Sequence, residues 1–202
     1  MSFKQKQREF KKKVICEVAY DLLTSKPVES VSVDDIARLV GCAKGTIYLY
    51  FKNKDDILHH LVSEGLQKLC SDMEDQCLKV RDIREAINNY IKLQFHFFKE
   101  YNFLLSSWLR RRMEEKIRPE CVEEINNMLD RKIQIVAEML GRGIKDGFII
   151  KVDAYQLANL MESVFREATF PFISDEAKEK SEHKLNLLNY VVNNGILIRN
   201  TT

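Results

Sequence analysis

Between Gly65 and Gly141 the chain has no glycine, and Pro119 is the one proline there; all 202 residues together hold seven glycines and three prolines. A chain of short strands reverses direction about every 8–12 residues. Such reversals rely on these two residue types. The sequence therefore predicts an all-α fold.

A mass of 23.7 kDa suits one domain or two small ones. Hydrophobic residues make up 45%, too many for a disordered chain. The five cysteines (Cys16, Cys42, Cys70, Cys77, Cys121) are odd in number and form no CxxC pair. They argue against a disulfide framework or a four-cysteine zinc site, and for a reducing, cytoplasmic setting. The longest uncharged run, residues 185–198, includes four asparagines. It falls short of the roughly 20 apolar residues a membrane-spanning helix needs. The basic N-terminus lacks the apolar centre of a secretory signal.

The formal net charge is only +2, but it is unevenly spread. Residues 1–54 carry eleven basic against six acidic side chains, a net of +5, and residues 55–202 a net of −3. The basic excess begins with Lys4, Lys6, Arg8, Lys11, Lys12 and Lys13, opposed only by Glu9. This arm reads as a solvated tail, with contact to DNA phosphates or the minor groove as the alternative.

Phe10, Val14, Val18 and Leu22 recur every four residues and predict a first helix ending near Thr24, ahead of Pro27. Ser32 with Asp35 marks the next helix start, and Val31 with Ile36 forms a staple around it. Gly41 ends that helix, and a third is expected from about Lys44 to Phe51. Two short helices about a glycine turn, packed on a preceding one, make a helix-turn-helix. Asn53 caps the following helix. Later helices are expected from Asp82, from Asn102 (a short one through Trp108), from Pro119, from Asp153 and from Ser174.

The segment VSVDDIARLVGCAKGTIYLYFKNKDDIL, Val31 to Leu58, resembles the DNA-binding domain of the TetR family of bacterial transcriptional regulators. The resemblance rests on Asp34-Asp35-Ile36-Ala37, Gly41, Lys44-Gly45-Thr46-Ile47-Tyr48, Tyr50-Phe51 and Lys52-Asn53-Lys54, and extends over about residues 8–67. It implies a three-helix DNA-binding domain, residues 1–54, followed by a larger helical effector-binding and dimerisation domain, residues 55–202. Two departures stand out. Ala43 replaces the serine that usually caps the recognition helix, and a missing cap costs ~1 kcal/mol. The loop Lys26-Pro27-Val28 replaces a Lys-Gly-aromatic run.

In a helix-turn-helix the second helix enters the major groove. Here its start bears Lys44, able to donate to guanine or phosphate, and Gly45, which permits close approach. Thr46 offers a hydroxyl and a methyl. With Ile47 and Phe51 facing inward, Tyr48 and Tyr50 are expected outside, their hydroxyls on phosphates. Lys54 and Ser32, at two helix starts, complete the expected DNA contacts.

The second domain is aromatic-rich. The resemblance implies an effector pocket, with Phe98, Trp108, Met139 and Phe165 as candidate lining and a small apolar or aromatic ligand as occupant. One helix-turn-helix reads few base pairs, and relatives of this type pair about a two-fold axis. The expected interface takes Leu157, Leu160, Met161 and Val164 from one helix and Leu185, Leu188, Val192 and Gly195 from the last. A pseudo-palindromic operator on double-stranded DNA follows. His59 and His60 are adjacent and cannot ligate a metal as an i, i+4 pair. No phosphate loop, GxSxG elbow or HExxH pair occurs. The reading is a regulator, a repressor released by ligand, with no catalytic residue, cofactor or metal. The alternative is a ligand-independent nucleoid or division factor.

Overall fold

In the computed structural model the first helix begins at the third residue. Ser2 Oγ accepts from the Gln5 amide at 3.3 Å, and Gln5 Oε1 accepts from the Ser2 amide at 2.8 Å. This capping box starts α1, Phe3–Ser25, so the basic arm is the first turns of a helix and not a tail. The structure describes residues 2–169, 190, 191, 194 and 195.

A 3-10 turn, Val28–Ser30, leads to α2, Val33–Val40, and α3, Lys44–Tyr48. Val28 is fully buried, filling the loop where the family pattern has an aromatic. α4 spans Lys54–Met73 and runs into a π-helical turn, Glu74–Leu78. Asn53 Oδ1 caps it by accepting from the Asp56 amide at 2.8 Å. α5 spans Ile83–Met113, α6 Pro119–Lys145 and α7 Ala154–Thr169. No strand occurs among the described residues.

Two expected boundaries move. α3 ends at Tyr48 instead of Phe51, because the Leu49 and Tyr50 amides turn to carbonyls three residues back, at 3.3 and 2.9 Å. This tightening still leaves Phe51 buried. No helix starts at Asn102, which lies within α5. With no glycine or proline nearby, Leu104, Ser107 and Trp108 continue a buried face along that helix. The expected helix from Ser174 lies outside the described residues.

The chain forms two compact units: residues 1–64 with 103–124, and residues 65–102 with 125–202. In the first, Ile15, Ala19 and Leu23 of α1, Ile36 and Ala37 of α2, and Ile47 of α3 are buried together with Ile57 and Leu58 of α4. This core fixes the orientation of α3. Asp55 pairs with Arg111 and Asp56 with Arg118, the latter at 2.7 Å, so the start of α4 is tied to residues 103–124. The second unit is centred on Met73, Ile87, Tyr90, Val136, Met139 and Leu140. Within it Arg142 donates to the carbonyls of Cys77 and Leu78, both at 2.7 Å, closing the end of the π-helical turn.

Candidate nucleic-acid interface

The start of α2 is held by a reciprocal cap. Ser32 Oγ accepts from the Asp35 amide at 3.1 Å and donates to Asp35 Oδ2 at 2.6 Å, which also accepts from the Ser32 amide at 3.0 Å. These hydrogen bonds from Ser32 hold the Asp35 carboxyl below the usual carboxylate range. α2 stops at Gly41, whose φ of 72° is the left-handed conformation that glycine takes at least cost. Half-exposed Cys42 follows in the turn.

α3 starts at Ala43 without a side-chain cap. Ile47 is fully buried, which turns the opposite face of the helix outward. Lys44, Gly45 and Tyr48 are exposed and Thr46 is half-exposed. A Cβ added at Gly45 would meet nothing within 4 Å. Tyr50, expected outside with Tyr48, is half-buried, and the Arg8 guanidinium lies 5.9 Å from its ring centre.

Two of the expected cations are engaged within the protein. Lys44 Nζ donates to Asp34 Oδ2 at 2.7 Å, and that hydrogen bond raises its pKa. Lys54 Nζ donates to the carbonyl oxygens of Val28 and Val31, the second at 2.7 Å, and burial lowers its pKa. Lys54 thus pins the loop between α1 and α2, which leaves the first-turn backbone of α4 as its means of meeting a phosphate.

Beside α3 lies an open groove of about 1020 Å³. Lys4, Lys6, Arg8 and Lys11 of α1 line it together with Phe10, Leu49 and Tyr50. The helical form of the arm is what aligns these cations. Asp34, Leu49 and this groove escaped the sequence reading. The signal for Leu49 was its place one helical turn beyond Gly45 and away from Ile47.

The expected pocket residues divide. Trp108 is fully buried in the first unit, whereas Phe98, Met139 and Phe165 belong to the second. Met139 and Phe165 are packed in its core, with Tyr90 set edge-on to Phe165 at 5.3 Å. Near them the Glu162 carboxylate accepts from Tyr90 (3.0 Å), Gln94 (2.6 Å) and Lys132 (2.6 Å). Of the expected interface residues, Met161 is buried and Leu157 packs partly buried on the same core, while Leu160 and Val164 are exposed. Gly195 is exposed as well; Leu185, Leu188 and Val192 lie outside the described residues.

Among the described residues no helix is long and apolar enough to cross a membrane. Residues 15–61 match the family described as bacterial regulatory proteins, tetR family. A fatty acid metabolism regulator protein of Bacillus subtilis is 30% identical over 145 residues, covering 71% of this chain and 73% of that protein. The crystal structure of FadR from Bacillus subtilis in complex with stearoyl-CoA superposes with a TM-score of 0.71 at 25% identity, over 91% of this chain and 98% of that one. A transcriptional regulator from Saccharomonospora viridis, crystallised with choline, superposes with a TM-score of 0.80 at 23% identity, over 95% of this chain and all of that one. The last shows a shared fold.

Proposed function

The chain belongs to the tetR family of bacterial regulatory proteins and is a DNA-binding transcriptional regulator; from that premise we propose that it is a repressor, released from a pseudo-palindromic operator by a small apolar effector. The observation that carries the DNA-reading part is the solvent side of α3, where Lys44, Gly45 and Tyr48 are exposed and Thr46 half-exposed while Ile47 is buried. Ser32, Tyr50, the first turn of α4 at Lys54 and the groove along α1 serve to position the phosphates. In this reading the reading head is residues 1–54, and residues 55–202 bind effector and pair two chains.

Exposed Leu160 and Val164, one turn apart on α7, support a homodimer. The fatty acid regulator relative supports an apolar effector, a fatty acyl group, for which the packed apolar core of the second unit would have to open. The packing of Met139 and Phe165 in that core favours the second reading, a DNA-binding protein without a ligand, as a nucleoid or division factor is. Selection of an operator from random duplex, followed by titration of the complex with stearoyl-CoA and with coenzyme A, separates the two. Release by stearoyl-CoA alone supports the regulator with an acyl effector. Retention of DNA in both titrations removes the acyl effector and favours the second reading.

A further inference from the structure

An α-helix turns about 100° per residue. The direction opposite Ile47 on α3 therefore falls between Gly45 and the position one turn on, Leu49. Leu49 continues the helical backbone with φ −71° and ψ −17°, and its side chain is 73% exposed. Lys44 and Tyr48 lie on one flank of this crest and Thr46 on the other. The crest that leads into a duplex thus carries a glycine and a branched hydrocarbon, and the polar side chains stand beside it. Leu49 also borders the groove along α1, but its exposure shows how little of it the protein itself covers.

The edges of bases in the major groove are hydrogen-bond donors and acceptors with one apolar exception, the C5-methyl of thymine. We propose that Leu49 is a specificity-determining residue that covers a thymine methyl, so that the operator carries an A·T pair beneath the crest of α3. The absence of a side chain at Gly45 lets the helix descend far enough for Leu49 to reach it. The inference rests on the DNA-binding reading above. It differs from contact by Lys44 or Tyr48 in being independent of charge and of any hydrogen bond.

The test uses the full chain and its selected operator. Each thymine is replaced in turn by deoxyuridine, which lacks only the methyl, and binding is measured for the wild type, Leu49→Ala and Leu49→Met. One thymine in each half-site should weaken the wild type about fourfold when demethylated, the worth of one buried methyl-sized group. Leu49→Ala should bind the thymine operator correspondingly less well and be indifferent to that demethylation, while Leu49→Met keeps the sensitivity. A 5-methylcytosine·guanine pair there should restore part of the loss. The proposal is overturned if no thymine responds, or if Leu49→Ala responds as the wild type does. A chain that selects no sequence at all overturns the DNA-binding reading together with it.

Discussion

Lys44 Nζ and Asp34 Oδ2 lie 2.7 Å apart, an exposed ion pair that joins the start of α3 to the start of α2. A cation so held must leave its carboxylate to meet a base or a phosphate. Asp34→Asn should therefore tighten DNA binding by about twofold to fivefold, the range of a surface pair. Lys44→Ala should change the selected sequence. Fluorescence anisotropy on the operator, with the wild type alongside, measures both; equal affinity of Asp34→Asn and wild type would show that the pair opens at no cost.

Stability and binding should move in opposite directions at Gly45. Alanine there meets no neighbour within 4 Å and favours the helix by about 0.5–1 kcal/mol. In the proposed contact the same methyl stands between α3 and the duplex. Gly45→Ala should raise the thermal midpoint by a few degrees and lower operator affinity at least about tenfold. Unchanged affinity would place the duplex elsewhere.

Lys54→Met keeps the apolar stem and removes the donor shared by Val28 and Val31. Leaving these carbonyls without it should cost about 1–3 kcal/mol, read as a lower denaturant midpoint. Because the ammonium is engaged within the protein, the slope of log affinity against log salt should stay the same. A slope flatter by about 1 would instead assign the ammonium to a phosphate.

Burial lowers the pKa of His60 from its ordinary 6.5, with Lys12 adding to the effect. As pH falls below 6.5 the unfolded chain takes up this proton before the folded one does, so stability is lost from there down through the folded value. His60→Phe, beside the Phe51 ring, should flatten that loss in urea midpoints taken at about pH 7, 6 and 5. The Glu124 carboxyl, held low chiefly by the Ser63 hydroxyl and then by His59, gives a separate loss as pH falls below 4.5. An unaltered slope in His60→Phe between pH 7 and 5 would remove His60 from the account.

Leu160→Asp with Val164→Asp places two charges on the exposed side of α7. Sedimentation at micromolar concentration should show the wild type as a dimer and this variant as a monomer with much weaker operator binding. Circular dichroism should be unchanged, since neither side chain belongs to the core. A dimeric variant would move the interface off this face.

The helix-turn-helix was readable because local rules decide it: the Ser32–Asp35 cap, the left-handed Gly41 and the period that buries Ile47 are all short-range. The end of α3 was not, because i−3 hydrogen bonds and an αR backbone look alike in sequence. The pairing of Lys44 with Asp34, ten residues apart, and of Lys54 with carbonyls more than twenty residues away depends on how α1, α2 and α4 pack. Aromatic density along the chain points to Trp108 as pocket lining but says nothing of which residues it packs with, and Trp108 lies in the compact unit that holds residues 1–64.

The turn between α2 and α3 also offers a chemical handle. Cys16, Cys70, Cys77 and Cys121 are buried, and burial pushes each thiol up, Cys16 and Cys77 to about 11. Cys42, in the turn, is half-exposed. A maleimide applied to the folded chain near neutral pH should therefore attach at this thiol first, and a dye placed there sits in the turn just before α3, the helix proposed to read the operator. The unaltered sequence is thus ready for site-directed fluorescence or cross-linking, and bound duplex should slow the labelling.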